Sequence, residues 1–228
     1  SHQNPDAGDI ARHLQRLDLQ RTNVLIEVSN HSFTLPWLAD FSRQAQQTGL
    51  RLGQVVEFNR DQQTDFADLA ERALADQPQA VVLVSNAIDT ALLATQLRRR
   101  QPDLTLATPA WAAADTLIEM GGRAVEGMLT AQTFDLNNQA EDFVALRQHY
   151  QARFGQDINT AAITGYNAAQ VLLRALAQRQ PGEHPKQTLL RIRRFQGMQF
   201  PIVFDDFGDS NSPLLPMVIR DGRFTRLD

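Results

Sequence analysis

The residues able to do chemistry are few in this chain, and their spacing matters more than their number. Five histidines, His2, His13, His31, His149 and His184, are scattered. No pair has the His-x-His or His-x-x-x-His spacing that puts two imidazoles on one metal, so no metal site is expected. No Gly-x-Gly-x-x-Gly follows a strand-like run, and neither a Walker loop nor a Gly-x-Ser-x-Gly elbow occurs. Asp205, Asp206 and Asp209 lie close together, but as a charged surface turn rather than a cation site. His31 sits in a loop after a strand, yet no carboxylate or hydroxyl is spaced to make it a catalytic base. Asn30-His31-Ser32 matches a glycosylation triplet, which means little without a eukaryotic secretory context. A nucleophile, a base and an orienting group cannot be assembled, so the expectation is a protein without enzymatic activity or cofactor.

What remains is a set of polar and aromatic residues in three loops: Ser29 to Thr34, Val84-Ser85-Asn86, and Thr108-Pro109-Ala110-Trp111. Each follows a strand-like run, and in open α/β sheets the crevice outside the carboxyl ends of the strands is where ligands bind. Ser32, Phe33, Ser85, Asn86, Ala110 and Trp111 are therefore the candidate ligand contacts. Each has a structural alternative. Asn86, with Asp89 three residues on, has the pattern of a helix N-cap. Phe33 could staple its helix. Trp111, beside Pro109, is the hardest to explain by packing alone.

These loops need a scaffold, and its pattern is regular. Strand-like runs begin 28 residues apart, at Val24, Leu52 and Ala80, the length of a βαβ crossover. Helical segments are expected from about Leu35 to Thr48, from Thr64 to Asp76 and from Ala87 to Arg100. Pro36 is assigned to the first turn of the first and Thr64 to the cap of the second. Ala80–Val84 is apolar on both faces, as a strand covered on two sides should be. A short strand at Leu104–Ala107 and another at Ala124–Leu129 follow. The fold class is thus α/β, a doubly wound parallel sheet flanked by helices. Beyond the linker-like Thr133–Asn138 come helices at Gln139–Phe154, Thr160–Gln178 and Lys186–Arg194. A β-like end covers Phe200–Phe204, Met217–Arg220 and Phe224–Leu227, with a hairpin signal at Asp221-Gly222.

Composition excludes several classes. The chain has 228 residues, 43% hydrophobic and 21% charged, with a formal charge of −4. Its longest apolar runs are strand-sized, far short of the roughly 18 residues that cross a bilayer. The acidic balance is wrong for sequence-independent nucleic-acid binding. There is no cysteine, which removes disulfides and thiolate sites. Lys186 is the only lysine. Ser1–Asn4 is polar and carries no signal-peptide pattern.

Five local phrases, in order, resemble the type I periplasmic solute-binding proteins, the branched-chain amino acid receptor family. They are Thr64-Asp65-Phe66 with Pro78-Gln79-Ala80-Val81-Val82-Leu83; Gly122 to Met128; Tyr166-Asn167-Ala168-Ala169 with Leu172-Leu173 and Ala175-Leu176; Phe204 to Asp209; and Ile219 to Phe224. The resemblance implies two α/β lobes that close on a ligand, serving an ABC importer in the periplasm or outside the cell. A ligand-sensing domain of a signalling receptor or transcription regulator is the alternative. It implies that residues 1–133 and 214–228 form the second lobe, entered at its first helix. Residues 134–213 would be the segment returning to a first lobe whose opening part is absent. Partners would be a small molecule and a membrane permease or signalling protein.

The helix carrying Ile163, Ala168, Val171, Leu172 and Leu176 would then lack its usual cover and pack on a second copy, on a retained fragment or in a rearranged position. In this family an aromatic follows the first strand, a polar or aromatic residue the third, and a carboxylate the fourth in amino-acid binders. The matching positions are Phe33, Asn86 and Ala110 or Trp111. Without that carboxylate an α-ammonium would be desolvated and unpaired. An aromatic, amide or carboxylate compound is thus expected rather than a plain amino acid.

Overall fold

The computed structural model describes residues 4–210 and 212–227, so His2 lies outside the described residues. The chain forms two compact units. Unit 1 runs up to Gln132 and resumes at Leu214; unit 2 is Thr133–Pro213.

Unit 1 is a seven-stranded sheet wrapped by helices. Its elements are α1 (Pro5–Arg16), β1 (Thr22–Glu27), α2 (His31–Thr48), β2 (Leu52–Phe58), α3 (Phe66–Leu74), β3 (Ala80–Val84), α4 (Ala87–Arg100), β4 (Thr105–Ala107), α5 (Asp115–Gly121) and β5 (Leu129–Gln132). The strand order is β2-β1-β3-β4-β5, all parallel. Two later strands, β8 (Leu215–Arg220) and β9 (Arg223–Arg226), extend the sheet antiparallel from β5.

Alternation along the strands divides the core in two, because successive side chains point to opposite faces. Leu25, Val81, Leu83 and Leu106 pack with Leu69, Ala73, Leu93, Leu97 and Leu117 from α3, α4 and α5. Val24, Ile26, Ala80, Val82, Val84 and Ala107 pack with Ile10, Leu14, Trp37 and Phe41 from α1 and α2. All five residues of β3 are fully buried, the two-sided cover its composition requires.

Several local expectations need correction. Helix α2 begins at His31, not near Leu35, so Pro36 lies inside it. The N–H that proline lacks would have met the Ser32 carbonyl, and Ser32 is exposed, where water can satisfy that oxygen. The cap of α3 is Asp65 rather than Thr64: its carboxylate accepts the N–H groups of Ala67 (2.9 Å) and Asp68 (3.1 Å). The strand expected at Ala124–Leu129 is a 3-10 turn, Gly122–Val125, with β5 starting only at Leu129. Gly127, at φ +76°, turns the chain between them and donates its N–H to the Ile219 carbonyl at 2.8 Å. Gly53 is fixed by contact rather than by φ. A Cβ there would stand 2.2 Å from Oδ1 of Asn23, a buried side chain that bonds the Ala73 carbonyl, Asp76 and the Gln54 N–H.

Unit 2 contains α6 (Glu141–Phe154), α7 (Thr160–Ala177), α8 (Pro185–Ile192) and a two-stranded ribbon of β6 (Arg194–Phe195) and β7 (Ile202–Val203). Phe134, Phe143, Ile158, Ile163 and Met198 form one cluster, and Val171, Ala175 and Phe195 another. Along α7 the buried stripe is Ile163, Asn167, Val171 and Ala175, the spacing of one helical face. Asn167 accepts the Met198 N–H at 2.8 Å. Ile163 and Val171 are therefore covered within the unit. Leu172 (49% exposed), Leu173 (62%) and Leu176 (46%) are not.

The turn leading into α8 is tied by Glu183. Its carboxylate accepts from Arg191 at 2.8 Å and 3.0 Å, from the Gln180 N–H at 3.0 Å and from Thr188 Oγ1 at 2.9 Å. The Arg191 bonds, then the Gln180 N–H, pull its pKa from 4.5 to about 2. A carboxyl held lower in the fold than in the unfolded chain stabilises above pH 4.5, and that contribution is lost as the pH falls towards about 2. Glu183→Gln should therefore flatten the loss of α8 amide protection between pH 4.5 and pH 2; a wild-type slope in the variant would contradict this.

Candidate functional site

Because β1, β2, β3 and β4 are parallel, the loops after them leave the same edge of the sheet. The side chains along this edge are joined by a continuous chain of bonds. Glu27, the last residue of β1, is buried, and its carboxylate accepts the N–H groups of Ser29 (2.8 Å), Asn30 (3.2 Å) and Arg60 (3.3 Å) and the Ser29 hydroxyl. Burial pushes the Glu27 carboxyl up, but those donors outweigh it and hold the group below the ordinary range. Asn30 in turn starts α2, its carbonyl accepting the Phe33 N–H at 3.1 Å and Thr34 Oγ1 at 3.2 Å.

Arg60, in the loop after β2, reaches across to Asp89 with Nη1 2.7 Å from Oδ1. Asp89 lies in the first turn of α4 and is fully buried. Desolvation raises its pKa, against the pull of Arg60 and Asn86. Asn86 is the N-cap of α4: its Oδ1 accepts the Asp89 N–H at 2.9 Å and its Nδ2 donates to the Asp89 carboxylate at 3.0 Å. Capping and exposure coexist at Asn86, because only part of its amide is engaged and the residue faces solvent.

Ser85 is buried, its hydroxyl 2.8 Å from that of Thr90, so it meets the edge through its carbonyl. That carbonyl accepts the indole N–H of Trp111 at 3.0 Å. Trp111 lies in a 3-10 turn, Ala110–Ala112, and is 40% exposed. Its ring stands edge-on to Trp37, centroids 6.1 Å apart, and Trp37 is stacked on Phe41 at 5.2 Å. The turn is held from below by Asp6 of α1, whose Oδ2 accepts the Ala110 N–H at 2.9 Å.

The candidates thus come together on one edge, in unequal roles. Phe33 is in the first turn of α2 and 64% exposed, so it does not staple the helix. Ser32 is also exposed, with its hydroxyl 3.3 Å from Asn30 Oδ1. Ala110 presents mainly backbone. The sequence reading missed Glu27, Arg60 and Asp6, and took Asp89 only as the partner of the Asn86 cap. A carboxylate ending an otherwise apolar strand was the visible signal for Glu27. Among the described residues no group of three or more His, Asp or Glu could hold a metal ion, and no helix is long and apolar enough to cross a membrane.

Asp6 is 3% exposed, and burial raises its pKa against the bonds from the Ala110 and Ala7 N–H groups and the nearby Trp37 indole N–H. Asp6→Ala would leave the Ala110 N–H without its acceptor and should cost about 1–3 kcal/mol. Asp6→Asn keeps an acceptor and should lose less. A folded pKa above the unfolded value means that ionising Asp6 weakens the fold as pH rises through that range, a dependence the Asn variant should lack. Chemical denaturation at pH 4 to 7 checks both; equal stability of all three proteins would contradict the tie.

The sequence profile described as "Periplasmic binding protein" matches residues 6–215. None of the curated proteins matches the chain. Among solved structures, a leucine binding protein from Thermotoga maritima is 22% identical with a TM-score of 0.81, over 99% of this chain and 65% of that one. A branched-chain amino acid transporter substrate binding protein from Streptococcus pneumoniae, in complex with isoleucine, is 14% identical with a TM-score of 0.82, over 96% and 62%. A solute binding protein of an ABC transporter from Rhodopseudomonas palustris, in complex with 3,4-dihydroxy benzoic acid, is 16% identical with a TM-score of 0.77, over 97% and 62%. At these identities the likeness is one of fold. The chain spans about two thirds of the length of these proteins.

Proposed function

The chain belongs to the periplasmic binding protein family, in its type I form, and from that premise we propose that it binds a small organic solute at the sheet edge of unit 1. The observation that carries this reading is the bonded chain from Asn30 through Glu27, Arg60, Asp89, Asn86 and its neighbour Ser85 to Trp111. It holds two exposed aromatic rings and several part-free polar groups on one edge without assembling a nucleophile and base. Such an edge recognises and does not react, so the protein acts as a receptor rather than an enzyme. Phe33 and Trp111 offer flat apolar faces to the solute, Ser32 and Asn86 offer hydrogen bonds, Ala110 offers backbone, and Ser85 positions Trp111.

The neighbours named above include binders of isoleucine and of an aromatic acid. For this chain an aromatic, amide or carboxylate compound suits the edge better than a plain amino acid, because both of its buried carboxylates, Glu27 and Asp89, are already engaged. In the whole protein, unit 1 acts as the second lobe and unit 2 as the segment returning to the first. Solute selects a closed state, which a membrane ABC permease reads from the periplasmic or extracellular side. A thermal-shift screen of aromatic and aliphatic acids and amides tests the reading. At least one class should raise the melting temperature; no response across all classes would contradict it.

The exposed leucines of α7 belong to the same proposal. Gly165, Ala168, Ala169, Leu172, Leu173 and Leu176 line one exposed face. Leaving apolar area in water is unfavourable by about 25 cal/mol per Å², so in this chain taken by itself a second copy should cover it, where the first lobe would in the whole protein. Sedimentation should show association that rises with concentration and is lost in Leu173→Glu; a wild-type monomer at millimolar concentration would contradict this.

A further inference from the structure

Arg60 lies outside the three loops that the sequence singled out, and its guanidinium is only partly engaged. We infer that Arg60 is the anion-recognition residue of the edge and that the solute carries a carboxylate directed at unit 1. This rests on the proposed function of the edge and narrows it.

A guanidinium has five N–H donors in a planar fork and binds carboxylates through two parallel bonds. Asp89 engages Arg60 through Nη1. Among the described residues no other acceptor meets the Arg60 guanidinium, and the side chain is 45% exposed. A long arginine side chain loses rotamer freedom when held, and here a wholly buried carboxylate holds it at the edge. The remaining donors are thus pre-positioned in solvent, beside the α4 N-terminus and the exposed Asn86 amide.

The two buried carboxylates of the same edge bear on the sign. Glu27 is filled by three backbone N–H groups and the Ser29 hydroxyl. Asp89 is ion-paired with Arg60 through Oδ1 and accepts from the Asn86 amide through Oδ2. An ammonium approaching either of these buried carboxylates would have to displace one of those donors, leaving a buried charge or N–H unpaired; Asp61, beside Arg60, is exposed and stands outside this chain of bonds. A carboxylate displaces only water from Arg60. Uncharged amides can stack on Phe33 and Trp111 equally well but leave the guanidinium without an anionic partner.

The test uses the full chain with benzoate and its isostere benzamide, followed through the indole N–H resonance of Trp111. That resonance is told from Trp37 by its loss in Trp111→Phe. Wild type should bind benzoate about tenfold more tightly than benzamide. Arg60→Gln should remove that preference while leaving benzamide within about twofold, and Arg60→Lys should restore it only in part. Arg60→Gln with Asp89→Asn guards against a folding defect, since it leaves no unpaired buried carboxylate; it too should bind both probes alike. If both probes bind and the preference survives in the variants, the Arg60 assignment falls while the edge remains a binding site. If neither probe moves the Trp111 resonance, both readings fall.

Discussion

Replacing Trp37 by alanine is expected to destabilise unit 1 by about 3–5 kcal/mol, the usual result of truncating a large buried aromatic. Trp37 is fully buried, stacks on Phe41 and supports the edge of Trp111. Alanine would open a cavity between α2 and the sheet that rigid neighbours on β1 and β3 cannot fill. It would also remove the indole N–H that favours the charged form of Asp6. For a unit of this size the melting temperature should fall by roughly 6–20 °C, measured by calorimetry. Trp37→Phe keeps the stack and should recover most of the loss. A fall under about 2 °C for the alanine variant would mean that this half of the core is not anchored as described.

The second large effect concerns binding. Trp111→Ala is expected to weaken any solute held at the edge by at least about 2 kcal/mol, roughly 30-fold, because an aromatic anchor at the centre of a small site carries most of its apolar contact. The cost to stability should be much smaller, since Trp111 is partly exposed and its loss frees one carbonyl, that of Ser85. Trp111→Phe separates the two contributions. It keeps a stacking face and loses the bond to Ser85, so affinity should drop less than for alanine. Titrations of the same solute against wild type and both variants check the order. Equal affinities would take Trp111 out of the site.

How much of this was legible beforehand follows from the range of the forces involved. The βαβ period and the two-sided burial of Ala80–Val84 are local patterns, so the doubly wound sheet could be read from sequence. The N-cap pattern of Asn86 with Asp89 is local as well. Helix α1 entered only through the family resemblance, although Ala7, Ile10, Ala11 and Leu14 recur at helical spacing and are all buried. The start of α2 was misplaced because proline was treated as a first-turn residue, whereas an exposed Ser32 lets the helix tolerate Pro36 further in. On α7, hydrophobicity alone could not tell the covered face of Ile163 and Val171 from the uncovered face of Leu172 and Leu176. Arg60 with Asp89 and Asp6 with Ala110 join residues 29 and 104 positions apart. No spacing rule finds such pairs, and only the fold makes them neighbours.

The most direct test of solute recognition at the sheet edge is amide chemical-shift mapping during titration with the compound that gives the largest thermal shift, with its recovery by mass spectrometry afterwards. The expected result is that perturbations concentrate in residues 29–34, 59–61, 85–89 and 108–112 and that the compound returns unchanged. Perturbations centred elsewhere in the chain, or a compound recovered chemically altered, would contradict the account.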